Sequence, residues 1–143
     1  MTSWQEFADE APELAAEVKR RFDAHGHKTM ATVRSDGSPR ISGTEVEFRD
    51  GQIWLGSMSG ALKARDLQRD PRVAIHSASE DPAVWSGDAK VAGRAVEVEH
   101  DEPHHLFRIE LSEAVSVRLP ASREHLIIES WHEGRGVTRT ERA

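Results

Sequence analysis

The run Leu55-Gly56-Ser57-Met58-Ser59-Gly60-Ala61-Leu62-Lys63-Ala64-Arg65 holds the residues best suited to bind an anion. A strand-like stretch ends in small hydroxyl residues and a glycine, and a helix-forming stretch opens directly after it. Backbone N–H groups at a helix start, with serine hydroxyls beside them, suit a phosphate. Lys63 adds a point charge and Arg65 a fork-shaped donor. Arg40, on a neighbouring strand pattern, can reach the same place. The plainer reading is an N-cap at Ser57 or Ser59 followed by solvated charges, and spacing alone does not displace it.

The eight histidines are a second source of chemistry. They include His25 with His27, and His100 with His104 and His105. A spacing of four can set His100 and His104 on one helix face as metal ligands. Pro103 interrupts such a helix, and no companion ligand is apparent, so these histidines read as surface groups in polar turns and no metal is expected. Trp54 and Trp131 fall in strand patterns, Trp4 reads as a helix anchor, and Trp85 lies in a loop where an aromatic could cover a planar ligand. Packing is the plainer reading for all four.

Much chemistry is excluded. Cysteine and tyrosine are absent, which removes disulfides, thiolate zinc sites and thiol nucleophiles. There is no GxGxxG, Walker loop, HExxH or GxSxG. Acid–base work would fall to His, Asp, Glu or Lys, and no catalytic side chain is assigned.

The elements that must position these residues follow from pattern. Ser3 with Glu6 has capping-box spacing, and Pro12 opens a second helix in which Leu14, Val18 and Phe22 form one stripe before Gly26. Residues 1–26 thus form a helical segment. Strands are expected over 29–33, 39–48 and 52–57, joined at Asp36-Gly37 and Asp50-Gly51 as a β-meander. A short solvated helix follows over 60–70 and ends at Asp70-Pro71. Further strands are expected over 72–77, 89–99, 107–119 and 125–131, with a loop over 80–87, and residues 133–143 read as a mobile tail. About seven strands and two or three helices indicate a mainly β fold, an antiparallel barrel with peripheral helices.

The chain of 143 residues suits one domain, here 1–143. Its 37% hydrophobic content, arranged periodically, is too high for disorder. No run of about 18 apolar residues could span a membrane. The N-terminal stretch lacks an apolar signal core, and a cytoplasmic location fits. The net charge of −6 argues against a nucleic-acid partner. That charge is uneven: residues 28–72 carry eight Lys/Arg against six Asp/Glu, and the remainder eleven against nineteen. A small anionic ligand fits the mildly basic segment; a long polyanion would meet repulsion elsewhere.

Four runs, Asp36-Gly37-Ser38-Pro39-Arg40-Ile41, Gly51-Gln52-Ile53-Trp54-Leu55-Gly56-Ser57, Lys63-Ala64-Arg65-Asp66-Leu67 and Asp70-Pro71-Arg72-Val73-Ala74, resemble the pyridoxamine 5′-phosphate oxidase-like family. The resemblance is good over residues 28–99. It implies an antiparallel split barrel of the FMN-binding type that binds FMN or, in some branches, the deazaflavin coenzyme F-420. It implies that Lys63, Ser57 and Arg40 contact the cofactor phosphate, with Met58 following Ser57 at the strand end. It implies that the main chain from Ile41 through Ser42 to Gly43 borders the ring, and that Asp88 faces the ring of the partner site. Many members carry Arg-Lys where this chain has Leu62-Lys63, and Arg65 is placed to compensate. The end of the chain, Trp131-His132-Glu133-Gly134-Arg135, does not match the basic C-terminal part of true pyridoxamine phosphate oxidases, so that activity is not expected.

The family forms homodimers with two cofactor sites between subunits. A barrel this small cannot enclose a three-ring cofactor, so the ring needs a second wall. The expected function is a flavin- or deazaflavin-dependent oxidoreductase acting on a small molecule. The alternatives are a non-catalytic protein that binds or stores flavin or haem, and a scaffold that has lost its ligand.

Overall fold

The computed structural model describes residues 2–143. Ser3 caps α1 (Trp4–Glu10) with the reciprocal Ser3–Glu6 capping box, and Pro12 opens α2 (Pro12–Asp23) at its first position. The apolar stripe of α2, Leu14, Ala15, Val18 and Phe22, is buried together with Trp4 and Phe7. These two helices close one end of the sheet. Phe7 lies 4.8 Å from the fully buried Trp131 ring, and Trp4 lies 4.7 Å from Phe48, in tilted and edge-on contacts.

Nine strands follow: β1 (Lys28–Val33), β2 (Pro39–Thr44), β3 (Val46–Arg49), β4 (Gln52–Ser57), β5 (Arg72–His76), β6 (Gly87–Glu97), β7 (His105–Arg118), β8 (Leu126–His132) and β9 (Gly136–Arg142). The third helix, α3 (Leu62–Arg69), sits between β4 and β5. All pairings are antiparallel, in the order β2-β1-β5-β6-β7-β4-β3, with β8 added to β7 and β9 to β8. The sheet curls without closing. Its inner face carries Met30, Ile53, Leu55, Ile75, Val91, Phe107, Ile109 and Leu111, all essentially inaccessible.

Two expectations need correction. The stretch 39–48 is not one strand of a meander. It breaks at Glu45 into β2, which pairs with β1, and β3, which pairs with β4. The chain thereby crosses from one margin of the curled sheet to the other, so each hairpin exists but the three-strand meander does not. Residues 133–143 are not a mobile tail. β9 pairs with β8 from Leu126↔Arg142 to His132↔Gly136. Gly134 and Gly136 take positive φ in the turn, and Arg135 N–H donates to the His132 carbonyl.

Where β6 crosses β7 the register shifts between Ala92 and Gly93. A Cβ at Gly93 would lie 1.8 Å from the Glu110 carbonyl oxygen, so only glycine fits that bulge. On the outer face, Ile41, Ala31, Ala74 and Ala92 stand in register across β2, β1, β5 and β6. With Val33, Pro39 and Gly93 they form an apolar shelf, and Ile41 there is 74% exposed. Among the described residues, no helix is long and apolar enough to cross a membrane.

Candidate anion-binding site at the head of the third helix

β4 ends at Ser57, and the chain turns through Met58–Ala61. Ala61 N–H donates to the Met58 carbonyl at 3.0 Å, and Gly60 holds φ +78°. This is the left-handed position that a type II turn reserves for glycine. The N-cap of α3 is Ala61, with no side-chain cap. Neither Ser57 nor Ser59 caps the helix, which corrects the capping part of the plainer reading; Arg65 is a solvated charge, as that reading has it. The first-turn N–H groups of α3 thus have no side-chain acceptor.

One buried carboxylate clamps α3 across the β1–β2 hairpin. Asp66 is 2% exposed. Its Oδ2 accepts from Thr32 Oγ1 and from Arg40 Nε, each at 2.7 Å, and its Oδ1 accepts from Arg69 Nη2 at 3.0 Å. Burial pushes the carboxyl up, but the bonds from Arg40, Thr32 and Arg69 outweigh it and hold the group below its ordinary value. Arg69 also donates to the Val33 carbonyl at 2.9 Å.

This clamp holds Arg40 of β2 against α3, the helix that carries Lys63 and Arg65. Lys63 lies three residues before Asp66, on the same side of the helix. Its Nζ donates to the Gly43 carbonyl at 2.9 Å, leaving two N–H donors. Arg40 spends its Nε on Asp66, and its terminal guanidinium nitrogens have no partner among the described residues. Arg65 is exposed, and its side chain likewise has no ion-pair partner among the described residues. Ser57 Oγ is buried and unpartnered, as are Ser116 Oγ, Trp131 Nε1 and Gln52 Oε1. Of these four, only Ser57 belongs to the run that leads into α3. Ile41 and Gly43 are exposed on β2, Ser42 is half-buried between them, and Met58 is 81% exposed in the turn. A helix start without a side-chain cap, three cationic side chains and an unpartnered hydroxyl have the chemistry of a phosphate cradle.

Asp88 stands apart, on β6. It accepts from Trp85 Nε1 at 3.3 Å and lies 3.7 Å from His76 Nε2. The histidines of 100–104 sit in a turn, as expected. Their rings are 4.5 Å apart, and His100 Nε2 lies 2.6 Å from the His104 carbonyl. No group of three His, Cys, Asp or Glu among the described residues could hold a metal. Trp4 and Trp131 are core residues; Trp54 stacks under Arg49 at 4.9 Å, and Trp85 is half-buried beside Asp88.

Sequence reasoning missed the roles of Asp66 and Thr32, and it read His105 as a surface group in a polar turn, whereas it is half-buried in a strand. The Lys-x-x-Asp spacing of Lys63 and Asp66 was the available signal for the first. His105 opens β7. Its Nδ1 lies 2.7 Å from Glu97 Oε2, and its Nε2 lies 3.4 Å from the Gly60 backbone nitrogen.

A family model described as pyridoxamine 5′-phosphate oxidase matches residues 14–127. No curated protein matches in sequence. Among solved structures, PhzG from Burkholderia lata 383, in complex with tetrahydrophenazine-1-carboxylic acid, is similar at TM-score 0.72 and 13% identity over 95% of each chain. A pyridoxamine 5′-phosphate oxidase-related, FMN-binding protein from Nostoc punctiforme PCC 73102 is similar at TM-score 0.66 and 12% identity, covering 90% of this chain and 94% of that one. HutZ, the heme storage protein from Vibrio cholerae, is similar at TM-score 0.57 and 20% identity, covering 68% and 89%. At these identities the likeness is one of fold.

Proposed function

Because the chain belongs to the pyridoxamine 5′-phosphate oxidase family, we propose that it binds FMN at the head of α3 and acts as a flavin-dependent oxidoreductase. The observation that supports this reading is that Asp66 ties Arg40 of β2 to α3 while Lys63 of the same helix reaches the Gly43 carbonyl of β2, at a helix start without a side-chain cap that follows the unpartnered Ser57. The phosphate monoester takes the remaining Lys63 donors, the Arg40 guanidinium nitrogens and the Ser57 hydroxyl. Arg65 supplies the second cation that many relatives place next to the lysine. The exposed β2 margin from Ile41 through Ser42 to Gly43, with Met58 beside the turn, borders the ring. FMN, when bound, supplies hydride transfer; the chain binds it, orients it and excludes water.

A second copy of the chain completes the site. In the apolar shelf Ile41 and Ala74 are exposed and Ala31 and Ala92 half-buried, and a contiguous apolar surface of this kind suits pairing with another protein. Asp88 then faces the ring held by the partner. The substrate is a small molecule. The deazaflavin coenzyme F-420 also presents a phosphate and a comparable ring, and the arginine-rich, lysine-poor composition resembles that of deazaflavin-using branches.

Lys63→Ala tests the reading, with FMN affinity followed by fluorescence. Loss of a charge-assisted bond corresponds to weakening of about 10- to 100-fold; unchanged affinity for both FMN and the deazaflavin removes the assignment. A second reading, a binding or storage protein without turnover, draws on the likeness of fold to HutZ. Tight flavin or haem binding in the absorbance spectrum, without reduction and reoxidation by any of a panel of acceptors, would favour it.

A further inference from the structure

We infer that His105 is a positioning residue for this anion site: through the Gly60 N–H it fixes the turn that presents the head of α3. The inference rests on the FMN reading above and deepens it. His105 is the first residue of β7 and pairs with Ser57, the last of β4. Its ring reaches past that pair to the turn, where the Gly60 N–H donates to Nε2 at 3.4 Å. Its other nitrogen, Nδ1, faces Glu97 Oε2 at 2.7 Å, and the second Glu97 oxygen accepts from Gln68 Nε2 of α3 at 2.8 Å. The Phe107 ring stacks beside it.

The proton placement follows from these partners. A carboxylate can only accept, so Nδ1 carries hydrogen and donates to Glu97. A backbone N–H can only donate, so Nε2 must offer its lone pair to Gly60. Both bonds coexist only in the neutral imidazole with the proton on Nδ1. In the cation, both nitrogens are donors. The Glu97 contact persists and strengthens, while the Gly60 N–H meets another N–H and its bond is lost. The turn Met58–Ala61 then loses its one hydrogen bond to β7 among the described residues, while α3 itself stays clamped by Asp66. Protonation therefore loosens the mouth of the cradle and leaves the fold intact.

The charged or titratable groups near this ring are few. Glu97 stands on β6, and His100 acts on Glu97 across the β6–β7 turn. α3 offers neutral Gln68, with Arg65 one turn before it, and β4 faces the ring with Ser57. Donation from Gln68 and His105 holds the Glu97 carboxyl below its ordinary value, so Glu97 remains an acceptor.

The test measures FMN affinity by fluorescence from pH 5 to 8, the range in which histidines ordinarily change charge, for wild type, His105→Gln and His105→Ala. A glutamine amide oxygen can replace Nε2 as acceptor for the Gly60 N–H and does not titrate. Comparison at each pH cancels the titration of the FMN phosphate itself. At pH 8, His105→Gln should bind within about twofold of wild type and His105→Ala about fivefold more weakly, the worth of one hydrogen bond. As pH falls, the wild type should lose affinity relative to His105→Gln by about fivefold. Parallel pH profiles for wild type and His105→Gln overturn the inference. If His105→Ala does not fold, the glutamine comparison decides alone. Riboflavin, which lacks the phosphate, should show a much smaller divergence. If Lys63→Ala leaves FMN affinity unchanged, the site reading itself fails; if Lys63→Ala weakens binding and the His105 profiles are parallel, only the role of His105 fails.

Discussion

Removing the Asp66 carboxylate should destabilise the protein more than any surface change, and should do so through Arg40. Asp66→Ala leaves three donors without their acceptor. Thr32 is 2% exposed, so its hydroxyl stays orphaned, at a cost of about 1–3 kcal/mol. The Arg40 side chain is 19% exposed and loses the partner of a largely buried charge. Arg69 is 42% exposed and keeps its bond to the Val33 carbonyl, so it adds little. Breaking a buried pair from one side costs about 3–5 kcal/mol; with Arg40 able to reach some water, about 3 kcal/mol is the fitting figure. For a chain of this length that corresponds to a fall in Tm of roughly 10 °C. Urea denaturation at pH 7 of wild type, Asp66→Ala, Arg40→Ala and the double variant measures both the loss and the coupling. The two single losses should exceed the double loss by about 1 kcal/mol or more, because the second substitution removes a group already unpaired. The acid dependence has a definite sign. The folded carboxyl lies below its unfolded value, so its contribution is complete above about pH 4 and is lost as the pH falls through the lower folded value. The gap between wild type and Asp66→Asn should therefore narrow in acid. A loss under about 1 kcal/mol, or additive effects of Asp66 and Arg40, would refute the clamp.

Other positions give independent checks. Gly93→Ala places a Cβ 1.8 Å from the Glu110 carbonyl oxygen; the β6–β7 crossing must shift, and chemical denaturation should show a loss of about 3 kcal/mol or more. The Asp70 carboxyl is lowered to about 2, chiefly by the Arg72 side chain. In Arg72→Ala an NMR titration of the Asp70 carboxyl carbon should bring it back toward the ordinary 3.8, and no change would refute that attribution. Trp131→Ala empties the fully buried site where Phe7 meets β8, and should cost about 3–5 kcal/mol in the same denaturation assay.

Which of these features the sequence could announce depends on how far apart the interacting groups lie in the chain. The N-terminal helices were legible because Ser3, Glu6 and Pro12 act on backbone within one turn. The Ser57–Lys63 run was legible for the same reason: its strand end, its glycine turn and its first cation lie within seven residues. The break at Glu45 was hidden because Thr44, Val46 and Phe48 share one parity, so the inward alternation runs unbroken through the crossing between sheet margins. β9 was hidden for the opposite reason. Six of its seven residues are exposed, so no apolar alternation marks it, and it is held by its backbone ladder with β8. The site divides along the same line. That Arg40 stands near Lys63 could be read from type and resemblance. That its Nε is committed to Asp66 could not, because Thr32 and Arg40 meet that carboxylate from 34 and 26 residues away. This commitment changes what Arg40 can do. An arginine with Nε fixed on a buried carboxylate keeps its terminal nitrogens in one orientation, so it can meet a phosphate without first surrendering rotamer freedom. Asp66 should therefore matter to ligand affinity as well as to stability, and FMN binding by Asp66→Asn, under conditions where that variant remains folded, should be weaker than wild type although the Asp66 carboxylate is itself buried and bonded to Thr32, Arg40 and Arg69.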